Sequence, residues 1–108
     1  MSDWVFVCPT EQLLPGEKAT VWADDTPILV VNLDGTLYAV EDQCTHDAFE
    51  LSSGDVDVAE GSITCVLHGA RFDLRDGRAL CAPAYDPVAK FPVKIEHGGV
   101  WTRDDRDV

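Results

Sequence analysis

The chain is poor in histidine and in positive charge. Of 108 residues, three are His and eight are Lys or Arg, against twenty Asp or Glu, for a formal net charge of −12. A nucleic-acid backbone would repel such a protein, so nucleic-acid binding is excluded. No apolar run approaches the roughly 20 residues of a membrane-spanning helix. Met1-Ser2-Asp3-Trp4 has neither the basic n-region nor the apolar h-region of a secretory signal. The expectation is a soluble, cytoplasmic protein with no membrane partner. No Gly-rich dinucleotide fingerprint is present, so direct oxidation of a nicotinamide cofactor is not expected. Internal repeats, linkers and low-complexity stretches are missing as well. Cysteine is limited to four residues, and a chain of this length with ordinary apolar content has no need of a disulfide scaffold.

What is present is concentrated. Cys44-Thr45-His46 and Cys65-Val66-Leu67-His68, separated by eighteen residues, use two of the three histidines and two of the four cysteines. Each pair offers one soft thiolate and one imidazole. A structural zinc site usually takes its cysteines from one short knuckle and its histidines from a separate segment. Here each loop supplies one of each, which suits a two-iron cluster gripped from both sides. A four-ligand zinc-binding structural module is the other use of the same residues. After His68 come Gly69-Ala70-Arg71-Phe72-Asp73, then Gly77 and Pro83, so the stretch reads C-x-H…C-x-x-H-G-x-x-F-D…G.

This pattern closely resembles the Rieske family, and within it the small ferredoxins of bacterial aromatic-ring dioxygenase systems, over about Trp4 to Trp101. The resemblance implies one [2Fe–2S] cluster, with Cys44 and Cys65 on the inner iron and His46 and His68 on the outer. It implies an all-β Rieske fold: a β-sandwich base with a smaller cluster-binding subdomain inserted at about 42–84. Pro83 resembles the family's shielding proline loop. The implied role is a soluble, monomeric carrier of single electrons. Its partners would be a flavin-dependent NAD(P)H ferredoxin reductase and a terminal Rieske oxygenase. A Rieske small subunit of a nitrite- or arsenite-handling complex is the alternative. Catalysis by this chain is not expected: an oxygenase also needs a mononuclear iron on two histidines and a carboxylate, and only His97 remains.

Two features set the subtype. Respiratory Rieske proteins carry an additional, disulfide-bonded cysteine in each cluster loop. Phe49 and Leu67 occupy those positions here, and Ala70 replaces a serine that hydrogen-bonds cluster sulfur. Lost hydrogen bonds to sulfur leave the reduced state less stabilised.

Elsewhere, short apolar or alternating runs predict strands at Trp4–Cys8, Ala19–Trp22, Pro27–Asn32, Leu37–Glu41, Ser62–Cys65, Arg71–Leu74, Phe91–Glu96 and Val100–Thr102. Hairpin turns are predicted at Asp34-Gly35, Asp76-Gly77 and Gly98-Gly99, and a single helical turn at Thr10–Leu14. Cys8, Cys81, Trp4, Trp22 and Trp101 are read as packing residues, His97 as an exposed turn residue, and Arg103–Val108 as a frayed tail. Between Glu41 and Thr64 lie Glu41, Asp42, Asp47, Glu50, Asp55, Asp57 and Glu60, with no Lys or Arg. Beside an electron-exit site this run is expected to steer partners with basic patches.

These substitutions set the expected midpoint near the low end of the Rieske range, roughly −150 mV, with little pH dependence around neutrality. Protein-film voltammetry across pH measures it, and a clearly positive midpoint at pH 7 contradicts it.

Overall fold

Ile28-Leu29-Val30-Val31 is an unbroken apolar run, and all four side chains are fully buried. A strand points successive side chains to opposite faces, so such a run needs cover on both. The computed structural model describes residues 3–45, 49–66, 69–82 and 86–106. Among them the strands are β1 (Val5–Pro9), β2 (Lys18–Ala23), β3 (Thr26–Leu33), β4 (Thr36–Glu41), β5 (Asp55–Asp57), β6 (Ser62–Thr64), β7 (Arg71–Asp73), β8 (Ala79–Cys81), β9 (Lys90–Phe91), β10 (Val93–Glu96) and β11 (Gly99–Thr102). Two 3₁₀ turns, Thr10–Gln12 and Leu51–Ser53, are the helical elements among the described residues. The strands form three antiparallel sheets, ordered β1-β11-β10, β2-β3-β4-β9 and β5-β6-β7-β8.

Strand β3 is shared by two cores. Ile28 and Val30 join Leu13, Ala39, Phe91 and Val100 between the first two sheets. Leu29, Val31 and Leu33 face the other way, into a cluster with Val40, Leu51, Ile63, Phe72, Leu74 and Val88. Fully burying a side chain of this size contributes about 1.5–3 kcal/mol, so this one strand anchors both layers. The third sheet is consecutive in the chain, entered after β4 and left before β9, and its strands pair only with one another.

The expected all-β class holds, and each predicted strand has a counterpart. The run Phe91–Glu96 is divided at Pro92, which lacks the N–H that a ladder needs. Residues before it pair with β4 and those after it with β11. Strand β5, Asp-Val-Asp, reads as an acidic loop in sequence; Val56 packing on the second core and pairing with β6 make it a strand. Asp34-Gly35 turns with both φ positive, 54° and 99°, as a tight hairpin requires. The third hairpin turns one residue earlier than expected, at His97-Gly98, with His97 at φ 53°; Gly99 already pairs with Glu96.

The tail departs from expectation. Asp104 is buried and accepts hydrogen bonds from Thr26 Oγ1 at 2.7 Å and from Arg106 Nε and Nη2, each at 3.0 Å. The Arg106 guanidinium holds the Asp104 carboxyl well below the usual carboxylate range and lies 5.0 Å over the Phe91 ring. Residues 103–106 are therefore anchored rather than frayed; Asp107 and Val108 lie outside the described residues.

Gly54 tests how closely the third sheet is built. A Cβ there would lie 1.8 Å from the Thr64 carbonyl oxygen, whereas one at Gly98 meets nothing within 4 Å. Gly54→Ala is expected to cost about 2–3 kcal/mol or more, and Gly98→Ala about 1 kcal/mol through its positive φ alone. Thermal melting followed by circular dichroism ranks the two; equal shifts would contradict the close approach.

Candidate metal centre

The first cysteine loop hangs from the central sheet. Asp42 N donates to Pro27 O at 2.9 Å, and Asp42 Oδ1 accepts from Ser52 N at 2.7 Å, so the loop's two ends are tied beside β3. Within it, Cys44 N donates to Phe49 O at 2.8 Å. The second loop leaves β6 and returns to β7. There Cys65 N donates to Ala70 O at 2.7 Å, and Gly69 N donates to Cys65 O at 3.1 Å. Both loops thus close from a cysteine N–H to the carbonyl five residues on, although the histidine comes second after Cys44 and third after Cys65. Gly69 sits at φ 75° with open space around its missing Cβ. The left-handed backbone therefore demands glycine there, rather than a close neighbour.

The two cysteines are 2% exposed each and belong to the same buried cluster as Leu29 and Val31. Such an apolar, water-poor setting suits two soft sulfur ligands to one metal group. Two further ties draw in Cys81, the last residue of β8, and Asp86 beyond it. Thr45 Oγ1 donates to Asp86 O at 2.8 Å, and Cys81 Sγ to Gly69 O at 3.5 Å. Three chain segments therefore meet around the cysteines. His46, His68, Leu67, Asp47 and Pro83 lie outside the described residues. The donor set on the described side, two buried cysteines on matched loops, fits an iron–sulfur cluster held through sulfur.

Cys81 is exposed and touches a loop carbonyl instead of filling a core, and Cys8 and Cys81 form no disulfide. Cys8 is partly buried, and burial pushes its thiol pKa up. His97 is exposed, as expected, 3.4 Å from Glu96. Trp101 packs edge-on to Phe6, with ring centroids 5.3 Å apart. Trp4 lies under Lys94 and Arg103, at 4.5 and 5.5 Å. Trp22 does not pack inside: it is 65% exposed.

The acidic run is not a uniform rim. Asp42 and Asp57 accept backbone N–H groups, and Glu60 pairs with Arg71 at 2.9 Å. Glu41 lies 3.8 Å from Arg106. Glu50 and Asp55 remain at the surface, Glu50 accepting from Ser53 Oγ at 2.8 Å. The loop ties through Thr45 and Cys81 are not legible in the sequence, because neither residue carries a signal for a contact some forty or twelve positions away.

Residues 3–92 match the Rieske [2Fe-2S] domain family. The chain is 34% identical over 98 residues to a 3-phenylpropionate/cinnamic acid dioxygenase ferredoxin subunit of Shigella flexneri, covering 90% of each. It is similar to the ferredoxin of carbazole 1,9a-dioxygenase from Nocardioides aromaticivorans IC177, with a TM-score of 0.88 and 28% identity over 94% of this chain and 98% of that one. A ferredoxin solved in complex with the oxygenase of carbazole 1,9a-dioxygenase gives a TM-score of 0.88 at 29% identity, covering 97% and 96%.

Substitution separates the cysteines by role. Cys44→Ala and Cys65→Ala are each expected to abolish incorporation of iron, whereas Cys81→Ser is expected to retain it in full. Iron and acid-labile sulfide per chain measure the difference; loss of iron from Cys81→Ser would place that thiol among the ligands.

Proposed function

Because this chain belongs to the Rieske [2Fe–2S] domain family, we propose that it is the soluble ferredoxin of an aromatic-ring dioxygenase system, relaying single electrons from a flavin-dependent reductase to a terminal oxygenase. The observation that carries this reading is the pair of matched loops that bury Cys44 and Cys65 in one apolar cluster. The cluster is a Rieske [2Fe–2S] group, and the ligands in this reading are Cys44, His46, Cys65 and His68. When bound, it supplies one-electron redox chemistry at a potential raised by its imidazole ligands.

The chain's own residues do the rest. Leu29, Val31, Leu51 and Phe72 keep water from the cysteine side. Ala70, fully buried, offers no hydroxyl to sulfur, in keeping with a low potential. The unit of about 42–84 acts as the cluster-binding part on a β-sandwich base. The chain works as a cytoplasmic monomer that meets its partners transiently; among the described residues no helix is long and apolar enough to cross a membrane. It transfers electrons and transforms no substrate.

Protein purified anaerobically from an iron-replete host is expected to be red-brown, with two irons and two sulfides per chain. Reduction is expected to give an EPR signal whose average g lies below that of all-cysteine clusters. One zinc and no iron would overturn the reading.

A further inference from the structure

Strand β2 alternates: Ala19, Val21 and Ala23 turn inward, while Lys18, Thr20 and Trp22 turn outward. Thr20 is paired with Leu29 and Lys18 with Val31, and in an antiparallel pair directly opposed side chains share a face. Leu29 and Val31 belong to the cysteine-bearing core, so Trp22 lies on the face of the sheet that carries the candidate metal centre. Strand β2 is the edge of its sheet, and Trp22 stands beyond the cover that the third sheet gives to β3. A tryptophan left 65% exposed is an unusual use of so large an apolar surface.

Trp22 is also one wall of a groove of about 380 Å³. Pro27 and Thr20 line it on the sheet side, and Phe49, Glu50 and Ser52 on the side of the first cysteine loop. Phe49 is the residue whose carbonyl closes that loop onto Cys44, so the groove borders the first cysteine loop. Its charge is negative: Glu50 is exposed on its wall, Asp42 lines its floor, and no Lys or Arg is among its lining residues. Lys18, the cation on the same strand face, donates its ammonium to the Gly54 carbonyl.

An exposed indole beside a carboxylate fits one chemistry well. A guanidinium can stack on the indole face while its N–H groups meet the carboxylate, and its apolar stem can lie along Phe49 and Pro27. We propose that this groove receives an arginine side chain of the terminal oxygenase, making Trp22 and Glu50 the anchor that holds the oxygenase beside the first cysteine loop. The proposal rests on the electron-carrier reading above. An anchor of this kind gives a brief encounter complex both register and orientation, which long-range charge attraction alone does not.

The test uses the holoprotein and an oxygenase selected because it accepts electrons from the wild-type chain, the carbazole 1,9a-dioxygenase terminal oxygenase from Nocardioides aromaticivorans IC177 being the first tried. Dissociation constants and second-order electron-transfer rates are compared for wild type, Trp22→Ala, Glu50→Gln and Ile95→Ala. Ile95 is a control, an exposed apolar residue that does not line the groove. Trp22→Ala is expected to weaken binding about tenfold or more, in the range of an aromatic hot spot. Glu50→Gln is expected to weaken it about threefold and to flatten its salt dependence. Ile95→Ala should change neither, and the visible and EPR spectra of all four proteins should coincide. Unchanged oxygenase affinity in both groove variants overturns the proposal while leaving the carrier reading intact, as does an effect confined to the reductase. If no oxygenase accepts electrons from the wild-type holoprotein, the carrier reading falls and takes this proposal with it.

Discussion

Burial of β3 on both faces sets where every other layer of the molecule must lie. Ile28 and Val30 require the sheet of β1, β11 and β10 as cover, and Leu29 and Val31 require something on the opposite side. The something is the unit that carries the cysteines. Cys44 and Cys65 are therefore not appended to a finished sandwich; they are part of the apolar layer that completes it. A metal group held by them would sit against a strand buried on both faces, and close packing there limits the rearrangement that accompanies electron transfer.

Backbone hydrogen bonds turn that layer into a site. Each cysteine N–H is spent on the carbonyl five residues along its own loop, so each loop is closed before any metal is considered. The remaining contacts run between loops: Thr45 to Asp86, Cys81 to Gly69. These are weak individually, about 0.5–1.5 kcal/mol net for a hydrogen bond. Their value is geometric, because they bring Cys81 and Asp86 against the two cysteine loops. Preorganisation of this kind is what an electron carrier needs, since it must gain and lose an electron without reshaping its own cluster pocket.

Charge and shape divide the task of recognition. The net charge of −12 creates a field that draws basic partners from any direction. Much of the acidity that looks like a docking rim in sequence is occupied within the fold, by Ser52, Glu60, Arg71 and Arg106. The C-terminal clasp of Asp104, Arg106 and Thr26 uses three more polar groups structurally. What remains for specific contact is narrower than the charge count suggests, and the exposed Trp22 marks where apolar area is available beside it.

The expected chemistry is written in short-range spacing. Ligand-type residues at C-x-H and C-x-x-H spacing are local facts, and both pairs lie within residues 3–92, which match the Rieske family. Strand positions were legible too, because alternation and hairpin pairs such as Asp34-Gly35 act over a few residues. Features that depend on residues far apart in the chain emerge in the folded molecule alone. Val56 makes β5 a strand by reaching the second core, and Pro92 divides one apolar run between two sheets. Arg106 finds Asp104 and Phe91 and so fixes a tail whose composition reads as solvated. Trp22 has the same strand signature as its buried neighbours. Whether it is core or surface is set by how far the cysteine unit extends over the sheet, and an edge of that kind is not written in any local pattern of residues.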